Sequence, residues 1–547
     1  MKKLVPLFLA LSLLPAASFA ESEPWRTDTS NFPISEKKTE LNVWTVVTPD
    51  VEDMDTNEQT QMYEDLTNVH VNWTVVSAAD AVQQKNLSLA SMQYPDIYLC
   101  MFDQEIVSDA IDQGIFIPLE DLIEEYAPNI RKTLEECPEV RELITAPDGH
   151  IYTLFREDDM SQQIPFTKLW AFQPWLKQYK EATGNSDPQT LDEFRAMLEY
   201  YRDHDMNGNG DTTDEIPLMG SYSYAYQGSD PMYWILNAFT FVPCNEELAY
   251  GDGEKVSFAF EGDAFREGLK YGRDLVKDGL LSDLTYTQDI NQFRAVVNVT
   301  NPGDMIVGVA AAPYYMRFVT SSIYTTAIED FWVLEPVKGV NGERVVPSSA
   351  GNFMSNWAIT AACKDPVAAI KWLDGLCSRE TNIYTKLGDE GTDKDWYFTG
   401  NYDEFGNPII NSLTSSLLKD GNSTQNRRWA AWGSRLFHGN YKTFALELDP
   451  MSTIQRQMDA SSLYAQYAVS DGKPALIWCS DSELQTRVKE LQTLVTDYAR
   501  NMYSQFLLGA KDIYSDKDWA EYEEGLKAAG VEEYCELLTQ YWYGNNF

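Results

Sequence analysis

The chain has 547 residues, with 42 Lys and Arg against 84 Asp and Glu, for a formal charge of −42. A balance so acidic excludes a nucleic-acid binder and an electrostatic grip on anionic lipid, because both need clustered cations. With 44% hydrophobic and 23% charged residues it reads as a folded protein of several units, not a disordered one.

Lys2 and Lys3 precede an apolar run, Leu4 to Ala16, and Ser18-Phe19-Ala20 supplies the small residues of a cleavage site. This is the pattern of a secretory signal peptide over 1–20, followed by a flexible leader over 21–35. Elsewhere no apolar stretch reaches the ~18 residues of a membrane span. No cysteine stands at the cleavage point, so the pattern predicts an exported, periplasmic or extracellular product without a lipid anchor.

Leu41 to Val47 reads as a first strand, Asp55 to Thr67 as a helix and Val69 to Val76 as a second strand. Asp96 to Phe102 is a near-continuous apolar run, as in a strand covered on both faces. Helical patterns follow at 104–113 and 119–136. Thr190 and Glu193 form a capping box before Phe194, Met197, Leu198 and Tyr201 at helical spacing. Further on come a helix over Phe265 to Leu281, a strand over Met305 to Ala310, and a helix opened by Asp365-Pro366. Helical patterns dominate the end of the chain, at 484–506 and 516–542. The alternation predicts mostly parallel sheets with helices on both sides.

One motif carries coordination chemistry. Asp205, Asn207 and Asn209 occupy alternate positions ahead of Gly210, the start of a calcium loop. A backbone carbonyl near Asp211 adds a ligand, and Asp214 or Glu215 must complete the shell. Position 12 is Ile216 and Pro217 follows, so this is not an EF-hand. The expected cofactor is a structural Ca2+.

Seven cysteines show neither CxxC spacing nor the density of a disulfide scaffold, and read as buried thiols. Four histidines carry no zinc spacing, and neither a GxSxG elbow nor a phosphate loop occurs. No catalytic set is therefore expected.

The order of features resembles the extracellular solute-binding proteins of carbohydrate ABC transporters, in particular the large subgroup that includes alginate-oligosaccharide-binding proteins. The marks are the first strand, Tyr94-Pro95-Asp96-Ile97, the run Gly114 to Leu119, Ala127-Pro128-Asn129-Ile130, Pro147 to Tyr152, and the stretch from Trp175 through the capping box to Asn207-Gly208-Asn209-Gly210 and Asp214-Glu215-Ile216-Pro217. In that subgroup this last loop is a calcium site. Here one extra residue separates Gly210 from the acidic pair.

The resemblance implies an α/β, two-lobed periplasmic-binding-protein-like fold of class II, hinge-linked, with a helix-rich C-terminal region. One lobe would hold 36–156 and 341–395, the other 157–340 and 396–547. It implies an oligosaccharide held in the interlobe cleft and delivered to ABC transporter permease subunits by a monomer, with no chemistry on the ligand. Strand ends, where loops face the gap, supply the candidate contacts Trp44, Thr45, Phe102 and Asp103. By resemblance Tyr314, Tyr315, Tyr224, Tyr226 and Trp234 join them. Trp170, Asn352, Phe353, Trp429 and Trp432 are further candidates, and Arg427 is the cation to watch for an acidic sugar, against the plainer role of neutralising nearby acids. Two other functions stand beside this one: a secreted polysaccharide-degrading enzyme, and a peptide-binding receptor on the same scaffold.

Overall fold

The computed structural model describes residues 32–47, 51–77, 80–102, 104–157, 166–222, 228–299, 301–318, 330–349, 353–391, 394–403, 406–412, 426–429, 445–446 and 453–544. The signal pattern, most of the leader, and the candidates Asp103, Tyr224, Tyr226, Asn352 and Trp432 lie outside them.

The strands, in chain order, are β1 (Thr39–Val47), β2 (Val69–Ser77), β3 (Ile97–Phe102), β4 (Thr153–Glu157), β5 (Lys168–Phe172), β6 (Ile216–Met219), β7 (Ala249–Gly251), β8 (Val256–Phe258), β9 (Val307–Ala312), β10 (Phe331–Val333), β11 (Val346–Ser348), β12 (Phe353–Ile359), β13 (Trp396–Tyr402), β14 (Pro408–Ser412), β15 (Ala445–Leu446) and β16 (Ala468–Ser470). Two sheets organise two α/β lobes. The first runs β2-β1-β3-β12-β4 and the second β10-β5-β9-β6. β1, β2 and β3 are parallel, as their apolar runs foretell, but β12 lies antiparallel to both β3 and β4. In the second sheet only β6 and β9 are parallel. The expectation of mostly parallel sheets is corrected here. β5 and β12 are the strands on which the chain enters each lobe from the other, so they run against their neighbours.

The first sheet is buried on both faces. One face packs Leu41, Val43, Leu99, Ile130 and Trp372, the other Trp44, Tyr98, Phe102 and Phe116. The second lobe has a single larger core. Trp170, Trp175 and Tyr201 of its sheet side meet Tyr503, Phe506, Trp519 and Tyr534 of the C-terminal helices. Gly308, mid-strand in β9, lets the rings of Trp175 and Tyr201 come this close, since a Cβ there would lie 2.6 Å from Tyr201.

Local signals set the helix ends. Thr190 accepts from the Glu193 amide, and Asp365 accepts from the Ala368 amide with Pro366 in the first turn. The pattern over 119–136 is split by Pro128 into Glu120–Tyr126 and Pro128–Glu136. That over 516–542 is split at Gly530, whose φ of 93° ends Asp516–Ala529 before Val531–Tyr543 begins.

Two lobe boundaries differ from expectation. Val346 packs in the second core rather than the first. Trp429, expected in the second lobe, packs in the first. The cause is that β11 pairs with β16 of the second lobe, whereas 426–429 is stitched onto 52–60.

Candidate functional site

The gap between the lobes is located by strand ends. β1, β2, β3 and β4 all finish at one edge of the first sheet, where β12 begins. The chain leaves β4 there and enters the second sheet at Lys168 of β5. β6 and β9 finish beside that residue, and β10 leaves the same edge toward β12. These two edges face the crossings, and in open α/β sheets a ligand sits beyond the strand ends.

The structure places several of the candidate rings in core contacts. Trp44 lies 5.7 Å from Tyr98, and the Thr45 hydroxyl donates to the Leu99 carbonyl. Phe102 is wedged against Phe116 at 5.3 Å, with the Lys85 ammonium 5.2 Å over its ring. The Trp170 indole donates to the Ala312 carbonyl at 3.0 Å, and that of Trp234 to the Tyr464 hydroxyl at 3.1 Å. Trp429 donates to Thr60 and stands among Trp73, Trp372 and Tyr63. All five rings are at most 5% exposed. A sheet covered on both faces sends both sets of alternating side chains inward, so a ring near a strand end is packed as core.

Arg427 is also committed within the first lobe. Its guanidinium meets Asp395 at 3.1 Å and Glu58 at 3.4 Å. At the gap edge stand half-buried Tyr314, just past β9, then Tyr315 opening the short helix Tyr315–Phe318, and Phe353 opening β12. A pair that the sequence reading missed joins them. The Ser355 hydroxyl donates to Gln104 Oε1 at 2.7 Å, while Gln104 Nε2 is buried with no partner. The only signal in the sequence was its place one residue past the loop that closes β3.

The Asp205–Glu215 loop lies at the start of β6, the end away from the gap. Asp205 accepts three amides, Gly208 and Asn209 on Oδ1 and Gly210 on Oδ2. Asn207 and Asn209 each accept the amide two residues on, and Asp211 accepts that of Thr213. Asn209 Nδ2 donates to Asp214 Oδ2, and Glu215 Oε1 accepts from the Met206 amide. Gly208 and Gly210 take left-handed φ values of 77° and 90°, which the sharp bend requires. Asp214 Oδ1 and Glu215 Oε2 are buried without partners. Burial pushes the Glu215 carboxyl above its ordinary range. Among the described residues no three of His, Cys, Asp and Glu converge as a metal cluster, so a cation here would depend on Asn and backbone oxygens as well. Two orphaned carboxylate oxygens beside a hard-oxygen loop fit that donor set.

Two lobes joined by crossings, with strand ends turned toward those crossings, are the arrangement of the class II solute-binding-protein fold. No family model matches the chain. It is 26% identical over 560 residues, 99% of this chain and 97% of the relative, to the fructooligosaccharide ABC transporter substrate-binding protein FusA of Streptococcus pneumoniae serotype 4. The structure of the S. pneumoniae FusA complex with kestose matches with a TM-score of 0.70 at 23% identity, over 92% of this chain and 99% of that one. An EF-hand mutant of it with fructo-nystose matches equally, at 22% identity over the same shares. The HMO-binding ABC-transporter-associated solute-binding protein of Bifidobacterium longum infantis gives 0.74 at 16% identity, over 94% of this chain and all of that one. The alginate-binding protein AlgQ2, solved without calcium ion, gives 0.62 at 20% identity, over 93% and 99%. By fold and over its full length, this chain is similar to substrate-binding proteins of the ABC-transporter type, and these relatives are binding proteins rather than enzymes.

Proposed function

We propose that the protein is exported, works as a monomer, captures an oligosaccharide between its lobes and hands it unaltered to the permease of an ABC importer. The observation that carries this is the end-to-end likeness to a fructooligosaccharide-binding relative on a two-lobed frame. The sugar would lie across the facing edges, against the segments around Gln104, Ser355 and Phe353 on one side and Tyr314 and Tyr315 on the other. Binding favours the closed arrangement, which is the state a permease recognises.

The Asp205–Glu215 loop would hold calcium through Asp205, Asn207, Asn209, a carbonyl near Asp211, and the orphaned oxygens of Asp214 and Glu215. The ion would brace the second lobe without touching the sugar, because the loop lies at the far end of β6. An EF-hand and a calcium ion named for two structural neighbours support this reading.

The test is a panel of oligosaccharides beginning with kestose, scored by thermal shift and by chromatography of the sugar afterwards. A shift with intact sugar supports the receptor. Release of shorter sugars, or a shift with peptides alone, overturns it.

A further inference from the structure

Two successive carbonyls at the end of β9, those of Ala312 and Pro313, each accept a hydrogen bond from a side chain of β5. The Trp170 indole takes that of Ala312, and the ammonium of Lys168, two residues earlier on the same face, takes that of Pro313 at 3.1 Å. Lys168 is 1% exposed, its ammonium 5.5 Å above the Tyr464 ring. Tyr464 is in turn fixed by donating to the Leu334 carbonyl and accepting from Trp234. A lysine is rarely buried so completely, and burying its charge is costly unless the charge is used. Its place explains the use: Pro313 is where the chain leaves the second sheet at the gap edge, and the Arg317 amide closes the next turn on the Tyr314 carbonyl.

We propose that Lys168 is a positioning residue for ligand capture, its ammonium holding the Pro313 carbonyl and so setting the direction in which Tyr314 and the turn after it leave β9. The inference rests on the reading that this edge meets the ligand. Burial pushes the ammonium down to about 7. Among the described residues, the titratable groups beside it include the Cys244 thiol, from the loop before β7, and the Tyr464 hydroxyl, from helix Thr453–Ala465. Burial raises the thiol to about 11 and the phenol further, so both stay neutral where Lys168 titrates. The charged ammonium is the stronger donor, so the hold on Pro313 weakens as pH rises through neutrality.

Hydrogen exchange of segment 312–318 in the ligand-free protein, corrected for intrinsic rates, tests the hold itself. In the wild type its protection should fall about fivefold between pH 6 and pH 8.5, the gap between a charged and a neutral donor. In Lys168→Met it should sit at the high-pH level throughout, with the rest of the second lobe unchanged. Lys168→Arg, whose charge does not titrate there, should restore protection and remove its pH dependence. The wild-type profile keeps the test alive if the arginine does not fit. Kestose affinity should follow protection in the same proteins. Protection of 312–318 that is flat with pH in the wild type, or unchanged in Lys168→Met, overturns the proposal. So does kestose affinity that ignores a loss of protection. A wild type that shows the profile but binds no oligosaccharide overturns the sugar reading and leaves the hold on Pro313 standing.

Discussion

The Arg427 guanidinium lies 3.1 Å from the Asp395 carboxylate, which is buried at 1% exposure and also accepts the Asp389 amide. This contact ties segment 426–429 to the first lobe. Asn426 extends it by accepting the amides of Glu52 and Asp53, while the Asn57 amide donates to the Arg428 carbonyl. An arginine watched as a partner for an acidic ligand is thus the counter-ion of an internal acid.

Arg427→Met should therefore destabilise the protein by about 2 kcal/mol, because it leaves Asp395 charged and unpaired inside the lobe, with part of the cost relieved by the partial exposure of the arginine. Thermal and urea midpoints measure it. Restored stability in the double variant with Asp395→Asn is expected, and a single variant as stable as wild type would refute the tie.

Calcium should raise the thermal midpoint and a chelator lower it, by about 2.7 kcal/mol of stability at a hundredfold excess over the dissociation constant. In Glu215→Gln, which weakens one of the two orphaned carboxylates, most of that difference should vanish. Equal melting with calcium and with chelator would refute the site. Ligand affinity at saturating calcium should be unchanged in the variant, since the loop lies away from the gap.

Asp230 accepts from the hydroxyls of Tyr503 at 2.5 Å and Tyr286 at 3.3 Å, and caps Pro231–Leu236 through the Met232 amide. Burial pushes its carboxyl up to about 6, from an ordinary 3.8. The folded state thus keeps a proton that the unfolded chain releases above its own pKa. The stabilisation is complete below the unfolded value and is lost as pH rises through about 6. Asp230→Asn does not titrate. Its stability relative to wild type should improve by up to about 3 kcal/mol from pH 4 to pH 7, as read from paired urea melts. A difference that does not change with pH would refute this.

Asp471, just past β16, is buried where the chain leaves β11 toward the first sheet, accepting from Ser349 at 2.8 Å and Asn245 at 3.1 Å, while its amide bonds the Ser348 carbonyl. Asp471→Ala should quicken hydrogen exchange over 346–349 and 468–473 while the two sheets stay protected. Uniform change across both lobes would mean that it serves general stability and not the crossing.

Much of the fold was legible because it rests on near neighbours in the chain. The Thr190 cap and the Asp365-Pro366 helix start are local chemistry, and β3 announced a doubly covered strand through its unbroken apolar run. Pro128 and Gly530 were equally visible as breaks, although the apolar period running through them hid the split into shorter helices. The site was far less legible. Trp44, Trp170, Trp234 and Trp429 have the composition of sugar-stacking rings and the burial of core, and nothing in their spacing separates the two.

Composition, the strand and helix periods, and the oxygen spacing from Asp205 to Asn209 follow from residue chemistry within a few positions, so the primary structure alone could establish an acidic chain of alternating strands and helices with a calcium-type loop, while the two lobes were implied only by the family resemblance. Which faces are covered, and which cation is already spoken for, depends on contacts made across the chain: Trp429 meets Thr60 across 369 positions and Lys168 meets Pro313 across 145. Those pairings form only when the lobes pack, since burial and hydrogen-bond direction are properties of the assembled interior, and no local pattern encodes them.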